Sequence, residues 1–368
     1  MDISKAGEAR VLSPEDIGRT ATAFKKSRIL LSAFELDLFT VLGRQKRTSH
    51  DVAVELGTNP RATDRLLNAL CALGLIRKDD GYFSNTESAT RFLVKGEKEY
   101  MSGMMHTAHL WRTWNTMTGA IKKGGRAMDT SIKEEDPAWT PAFIEAMNYR
   151  AVMVAEKLVS RLDLAGVKQV LDVGGGSGAY AIAFVKSHPD IVATVFDLPG
   201  VIRLTKQYIA ESGMTDRIST VSGDYHEDDL GTGFDLVFLS AIIHSNSPDR
   251  NRALIEKGAK ALNPGGRIII QDFIVNEDRT GPLFGVLFAL NMIVGTEAGD
   301  TYTESEVKTW LMQAGVTDIT SMTGFGPTTL IMGRKKSDEH FSTHHCRAGE
   351  RLRAKGSRRY QNIGFGKS

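Results

Sequence analysis

The chain has 368 residues, of which 41% are hydrophobic and 24% charged, as is typical of a soluble globular protein with room for two domains. The net charge of +2 includes a basic segment over residues 337–368, predicted to be disordered, and the near-neutral remainder is atypical of a nucleic-acid-binding protein. No apolar run is long enough to span a bilayer, the start MDISKAGEAR lacks the core of a secretory signal, and Cys71 and Cys346 are far apart. These features predict a cytoplasmic protein and exclude a disulfide framework.

Residues 15–100 have the pattern of three helices followed by a hairpin. Apolar residues recur at helical spacing in a stretch that ends at Gly43, and the third helix begins at Pro60. A hairpin is predicted around the turn KDDGY. This order is typical of a winged helix, but the third helix is largely apolar instead of basic. The pattern therefore favours a packing or dimerisation domain over residues 1–105, and a ligand-sensing DNA regulator is the non-enzymatic alternative.

After residue 105, the sequence predicts first a helical segment and then alternating strands and helices. Residues 106–165 are rich in Met and Trp and are predicted to form a linker and pocket helices, on which His106 and His109 are core or pocket-lining residues. Strands and helices alternate over residues 166–336, ending in two edge segments, ITSMTG and TTLIMGRK. This alternation predicts an α/β fold with a mostly parallel, Rossmann-like sheet and helices on both faces.

The stretch VLDVGGGSGAY follows the first strand of this sheet with a loop almost free of side chains. Its glycines allow a ligand to approach the main chain at the carboxyl edge of the sheet, where ligands of such folds bind. Asp197 ends the second strand, where a carboxylate can accept hydrogen bonds from ribose hydroxyls. Asp224 ends the third strand and is placed to meet an adenine amino group. Together these residues favour an adenosyl ligand, although the loop alone does not separate NAD from other adenosyl ligands.

Five motifs occur in an order characteristic of one enzyme family: DVGGGSG, FDLP, GDYH, IIHSNSPD and NPGGRIIIQDF. They resemble those of the S-adenosylmethionine-dependent O-methyltransferases of the plant caffeate/acetylserotonin type, and the resemblance covers about residues 15–335. It implies a class I methyltransferase domain, an N-terminal domain that forms a homodimer, S-adenosyl-L-methionine as methyl donor and S-adenosyl-L-homocysteine as product, with no metal. The cofactor-binding residues carried over from these motifs are Gly174, Gly175, Gly176, Asp197, Leu198, Asp224, Tyr225 and Ser240.

His244 follows the apolar strand LVFLSAII and lies beside the predicted cofactor residues. A phenolic hydroxyl is mostly protonated at neutral pH and needs a general base, for which an imidazole is the usual choice. His244 also occupies the position of the family's catalytic histidine, and the resemblance assigns Asp272 as the carboxylate that orients it. The family's second acidic residue aligns with Thr301 here, so either the preceding Asp300 substitutes for it or Asp272 acts alone.

The predicted activity is methyl transfer to a hydroxyl of a small aromatic or conjugated acceptor. The resemblance places acceptor contacts at Phe143 and Met147, and the apolar segment LFGVLFALNMIVGT is predicted to line the same pocket through Asn291 and Met292. Met and aromatic side chains suit a flat acceptor. Two enzymatic alternatives stay open: a C- or N-methyltransferase of the same fold without base catalysis, and an NAD-dependent oxidoreductase.

Overall fold

The computed structural model describes residues 11–128 and 139–337 of the chain. The basic tail that was predicted to be disordered therefore lies outside the described residues, apart from its first residue. Within the described ranges, no helix is both long and apolar enough to cross a bilayer.

The first part of the described chain is a helical region with a small three-stranded sheet, in the predicted order of helices and hairpin. Its core includes the fully buried Leu38, Phe39 and Leu67. The helical stretch predicted to end at Gly43 does end there, but it is divided, because Asp37 adopts a positive φ of 59° between the second and third helices. The elements are α1 (Pro14–Thr22), α2 (Phe24–Glu35), α3 (Leu38–Leu42), β1 (Arg47–Thr48), α4 (Ser49–Leu56), α5 (Pro60–Ala72), β2 (Ile76–Asp79), β3 (Tyr82–Asn85) and α6 (Glu87–Leu93).

Three helices connect this region to the main sheet: α7 (Met104–Trp114), α8 (Met117–Lys123) and α9 (Trp139–Val159). The start of α7 packs closely on α9, since a Cβ atom at Gly103 would lie 3.0 Å from the Cα atom of Ala146. A side chain at this position would require the two helices to move apart by a few tenths of an ångström. Glycine at the start of α7 therefore sets how closely the two helices approach.

The main sheet has seven strands: β4 (Gln169–Val173), β5 (Val192–Asp197), β6 (Ile218–Ser222), β7 (Phe234–Ser240), β8 (Leu262–Asp272), β9 (Val316–Phe325) and β10 (Thr328–Lys335). Their order is β6-β5-β4-β7-β8-β10-β9. The first five strands in this order, from β6 through β8, pair in parallel with their neighbours. The α/β prediction is thus confirmed. The prediction that TTLIMGRK is an edge segment was wrong, because β10 pairs antiparallel with both β8 and β9 and lies inside the sheet.

Helices cover both faces of the sheet: α10 (Ala179–Ser187), α11 (Pro199–Glu211), α12 (Pro248–Ala261), α13 (Leu283–Gly295) and α14 (Glu304–Gln313) complete the fold. Successive side chains of β7 alternate between two cores, as expected for a strand buried on both faces. Leu236 and Phe238 pack in the core with α9, α10 and α11, whereas Val237 and Leu239 pack in the core with α12 and α14. The helix α13 lies beyond β8, and it contacts α7 and α8.

The strand order determines where a ligand can bind. The first strand of the sheet, β4, lies between β5 and β7. The chain adds β5 and β6 on one side of β4 and then crosses over to add β7 and β8 on the other side. In open parallel sheets, such a reversal leaves a crevice at the carboxyl ends of the strands. The loops that follow β4, β5, β6 and β7 meet at this edge, and they carry the predicted cofactor residues and His244.

Candidate active site

The glycine loop after β4 is fixed by a backbone hydrogen bond and by close packing against neighbouring side chains. The Gly174 amide donates a hydrogen bond of 2.7 Å to the Phe196 carbonyl, and its φ is +63°. A Cβ atom at Gly174 would lie 2.5 Å from the Ile242 side chain, and one at Gly175 would lie 2.6 Å from the Asp172 carboxylate. Side chains are therefore excluded at both positions by the packing of the protein itself, so the loop presents only its main chain there.

Asp197 ends β5, as predicted, whereas Asp224 lies in the turn two residues beyond the end of β6 and not at the last residue of the strand. The Asp197 carboxylate accepts hydrogen bonds from the backbone amides of Gly176, at 2.9 Å, and Leu198, at 2.7 Å. It thereby joins the glycine loop to the end of β5. The Asp224 carboxylate accepts a hydrogen bond of 2.9 Å from the His226 amide, which stabilises the turn after β6.

The loop that follows Asp224 is stabilised from α12. The Lys257 ammonium donates hydrogen bonds of 2.9–3.0 Å to the backbone carbonyls of Tyr225, His226 and Asp228. The Tyr225 hydroxyl donates a weak hydrogen bond of 3.4 Å to the Asn246 side chain, and burial raises the pKa of Tyr225 to about 12. A neutral aromatic ring is thus held beside the glycine loop. Lys257 was not predicted, and a lysine in a charged helix offers no distinguishing sequence signal.

These residues fit an adenosyl ligand. Its methionine part needs close access to a main chain, which Gly174, Gly175 and Gly176 provide. Its ribose hydroxyls need a carboxylate at the end of the second strand, where Asp197 lies. Its adenine ring needs an apolar surface and a polar edge, which Tyr225 and Asp224 provide.

Ser240 is placed differently from the other predicted cofactor residues. Its hydroxyl donates a hydrogen bond of 3.0 Å to the Gln271 side chain on β8, and the Gln271 amide donates in turn to Thr328 on β10. This network ties three strands together at the edge of the sheet. The contact of Ser240 with a cofactor stays a prediction.

His244 and Asp272 are brought together from the ends of neighbouring strands. The imidazole Nδ1 lies 2.8 Å from Asp272 Oδ1, and the side chains are 11% and 2% exposed. The same carboxylate accepts hydrogen bonds from the backbone amides of Phe273, at 2.8 Å, and His244, at 3.4 Å. On its other side, the His244 carbonyl accepts a hydrogen bond of 3.0 Å from the Asp300 amide. The histidine is therefore fixed through both its ring and its backbone.

Asp300 does not contact the imidazole with its carboxylate. Its Oδ1 accepts a hydrogen bond of 2.8 Å from the Thr301 amide, and its Oδ2 lies 3.7 Å from the Arg279 guanidinium. Arg279 also pairs with Glu306 at 2.8 Å. Of the two possibilities left by the sequence, the geometry supports the one in which Asp272 orients His244 without a second carboxylate.

An aromatic cluster surrounds the imidazole. The Phe288 ring of α13 meets the His244 ring edge-on, with centroids 4.9 Å apart, and the Phe273 ring lies 5.6 Å away. Phe284 packs on both phenylalanines. Sequence reasoning missed these three residues, although the apolar segment that contains two of them was predicted to line the pocket.

The predicted acceptor residues lie on two helices, α9 and α13, and α7 contacts both of them. On α9, Phe143 stacks on Trp139 with centroids 4.9 Å apart, and Met147 is half-buried. On α13, Met292 is buried, and the Asn291 side chain accepts a hydrogen bond of 2.8 Å from Trp114 of α7. Phe143 and Met292 thus belong to helices that are both held against α7.

Asp172, two residues before the glycine loop, is a further residue that sequence reasoning did not assign. Its side chain is fully buried, its Oδ2 accepts a long hydrogen bond of 3.3 Å from the Ala181 amide, and its Oδ1 has no partner among the described residues. Burial, assisted by the charge of Asp197, raises the pKa of Asp172 to about 7. An acidic residue inside an otherwise apolar strand was the available sequence signal.

Matches to family models agree with this architecture. Residues 114–317 match an O-methyltransferase domain, and residues 19–95 match an O-methyltransferase dimerisation domain. The first match spans more than half of the chain, so the chain belongs to the O-methyltransferase family. The prediction of an S-adenosylmethionine-dependent O-methyltransferase is confirmed at this level.

Individual relatives include more than one kind of methyl transfer. The chain is 35% identical over 306 residues to 3-hydroxy-5-methyl-1-naphthoate 3-O-methyltransferase of Streptomyces sahachiroi, covering 81% of this chain and 88% of that protein. It is 31% identical over 310 residues to L-tyrosine C(3)-methyltransferase of Streptomyces lavendulae, covering 80% and 84%. Among solved structures, PigF of a Serratia species with SAH has 26% identity and a TM-score of 0.81, covering 88% of this chain and 100% of that chain.

Proposed function

We propose that this enzyme transfers a methyl group to a hydroxyl of a small aromatic or conjugated acceptor, with His244 as general base. The observation that carries the proposal is the 2.8 Å pair of His244 Nδ1 and Asp272 Oδ1, at the edge of the sheet where the glycine loop lies. The relative from Streptomyces sahachiroi is named for methylation of a naphthoate hydroxyl, which agrees with a flat acceptor.

The hydrogen bonds of Asp272 determine which nitrogen of His244 acts. Asp272 already accepts two backbone amide hydrogens, so it is best paired with a donor, and Nδ1–H fills that role. The lone pair is then left on Nε2, which takes the proton of the acceptor hydroxyl. Asp272 also stabilises the imidazolium that forms, while Phe273 and Phe288 limit the access of water to the ring.

The residues after the strand ends would hold S-adenosylmethionine, which supplies an electrophilic methyl sulfonium group when bound. The glycines would face its methionine part, Asp197 and Leu198 the ribose, and Asp224 and Tyr225 the adenine. Ser240 would contact the cofactor from the end of β7, where its hydroxyl also donates to Gln271. The proposed set is Gly174, Gly175, Gly176, Asp197, Leu198, Asp224, Tyr225 and Ser240.

The acceptor would lie between α9 and α13. Phe143 and Met147 would contact one face of a flat ring, and Asn291 and Met292 would line the opposite side near the Phe288 ring. Aromatic rings stack on a conjugated acceptor, and methionine adapts to its outline.

The experiment that tests the proposed function is transfer of a labelled methyl group from S-adenosylmethionine to a panel of phenols, quinols and hydroxylated polyketides. We expect a methoxyl product, identified by NMR, and activity that survives a metal chelator. An aryl-methyl product would instead support C-methylation, the activity named for the Streptomyces lavendulae relative. Absence of transfer to the whole panel would contradict the proposed acceptor class.

We further propose a homodimer formed by the N-terminal region. The division assumed is a dimerisation domain over 1–105, linker and pocket helices over 106–165, a catalytic domain over 166–336 and a tail over 337–368. The dimerisation-domain match and the exposed apolar side chains of Ile17 and Phe24 support this. Light scattering on the full chain should give about twice 40.3 kDa, and a mass of 40.3 kDa would contradict the proposal.

Replacing Lys257 with methionine is expected to weaken binding of S-adenosylhomocysteine about tenfold, because three backbone carbonyls of the Tyr225–Asp228 loop lose a charged donor. Isothermal calorimetry measures the affinity directly. Lys260→Met is the matched control, since Lys260 lies on the same helix and pairs with Glu256 at the surface, at 2.8 Å. Equal affinities of the two variants would show that the loop does not need this lysine to bind the cofactor product.

A further inference from the structure

His106, on α7, is a buried polar side chain that the proposed mechanism does not use. The residue is 6% exposed, and its Nδ1 has no hydrogen-bond partner among the described residues. Most buried polar groups in proteins are paired, because removing one from water without a partner costs free energy. Because no described residue pairs with it, this buried nitrogen is available to a bound molecule.

Among the described residues, the neighbours that meet the His106 ring are aromatic and do not pair with this nitrogen. Its ring meets the edge of Phe143 with centroids 5.2 Å apart, and that of Trp139 at 5.8 Å. The two aromatic rings are stacked on each other and offer no conventional acceptor towards the imidazole. One polar atom in an aromatic wall is the composition typical of a small-molecule pocket, where apolar surface gives affinity and a few polar groups fix orientation.

The position of His106, Trp139 and Phe143 links them to the candidate active site. Ile144, the residue after Phe143, reaches the glycine loop, with its Cδ1 3.9 Å from the Cβ position at Gly176. At the other end of α7, Trp114 donates a hydrogen bond to Asn291 of α13, the helix that packs on His244. His106 thus lies on the helix that spans from the cofactor side of the site to the base.

The charge state of His106 indicates what kind of group it can bind. Burial, followed by the positive charge of Arg150 and by His109, lowers the pKa of His106 to about 4. The imidazole is therefore neutral at physiological pH and offers one donor and one acceptor nitrogen. A neutral ring suits an uncharged oxygen, such as a hydroxyl, ether or carbonyl, better than a carboxylate.

We propose that Nδ1 of His106 hydrogen-bonds a second, uncharged oxygen substituent of the acceptor and so selects rings that carry an oxygen in addition to the methylated hydroxyl. This inference rests on the proposed function, because it assumes that an aromatic acceptor occupies the space between α9 and α13. His106 is a specificity-determining residue in this scheme, and it takes no part in the transfer of the proton.

The test compares 2-naphthol with 2,3-, 2,6- and 2,7-dihydroxynaphthalene, which share the ring and one hydroxyl. For the wild type, we expect at least one diol to exceed 2-naphthol in kcat/KM and in calorimetric affinity by about tenfold. His106→Phe keeps an aromatic ring against Phe143 and should reduce this ratio to near one, mainly through KM. His106→Asn places an amide close to the Nδ1 position and should restore part of the ratio, whereas His106→Gln should restore less.

Melting with and without S-adenosylhomocysteine verifies that each variant folds and binds the cofactor product. The proposal is overturned if His106→Phe folds and keeps the wild-type ratio, or if the wild type binds no diol more tightly than 2-naphthol. Binding selectivity that depends on His106 without any methyl transfer would overturn the proposed function and leave the His106 contact supported. Methyl transfer without this selectivity would support the proposed function and overturn the proposed His106 contact.

Discussion

Replacing His244 with alanine is expected to lower kcat/KM for the best acceptor at least about 100-fold, the usual contribution of a positioned general base. The methyl donor does not remove the acceptor proton, so without the imidazole the reaction depends on the small ionised fraction of the hydroxyl. The loss should be smaller for acceptors that are already ionised at the assay pH. Initial rates with labelled S-adenosylmethionine, measured for acceptors of graded acidity, provide this comparison.

Two variants accompany this measurement. Asp272→Asn should also slow transfer, because its amide can donate to Nδ1 and so favours the tautomer with the proton on Nε2. His188→Ala is the control, since His188 lies in an exposed position after α10 with a side chain that is 54% exposed. If His244→Ala bound S-adenosylhomocysteine normally and transferred methyl groups at nearly the wild-type rate, the base mechanism would be wrong, although the fold and family would stand.

The position of the candidate site could be predicted because it depends on local patterns. An apolar strand followed by glycines or an acid identifies a strand end, as at Gly174 and Asp197, and parallel strands bring their carboxyl ends to one edge. The pattern placed His244 after a strand, and the family resemblance implied Asp272 as its partner; the strands that carry them, β7 and β8, are neighbours in the sheet. These residues are 28 positions apart in the chain, and the family resemblance was needed to select Asp272 as the partner of His244.

The partners of individual polar side chains could not be predicted in this way. Asp300 was a candidate for contact with the imidazole, but its carboxylate lies 3.7 Å from the guanidinium of Arg279, a residue that no local pattern connects with it. Ser240 was predicted to contact the cofactor, and its hydrogen bond to Gln271 on a neighbouring strand was not foreseen. Similarly, strand order is not encoded in the hydrophobic pattern, so the interior position of β10 was not foreseen. In each case the outcome depends on neighbours contributed by distant parts of the chain.

Replacing Asp172 with asparagine is expected to stabilise the cofactor-free protein by an amount that increases with pH. Because burial raises the pKa of Asp172 from 3.8 to about 7, the folded protein retains a proton that the unfolded chain loses between these values. The free energy of unfolding therefore falls as pH rises through this interval, with an upper limit of about 4 kcal/mol. Asparagine is neutral at all of these pH values and can still accept a hydrogen bond from the Ala181 amide. The free energy of unfolding of the variant should therefore not fall with pH on account of residue 172.

Urea unfolding at pH 5 and pH 8 measures the effect, and we expect the stability gain of Asp172→Asn to grow by roughly 2 kcal/mol between them. Asp235→Asn is the control on the same sheet. Burial alone would raise the pKa of Asp235, but hydrogen bonds from Asn263, Gln169 and Lys168 outweigh it and lower the pKa. Asp235 is thus ionised in both states at both pH values, and its replacement should destabilise the protein equally at each. A gain for Asp172→Asn that did not change with pH would mean that the buried carboxyl does not titrate in this range.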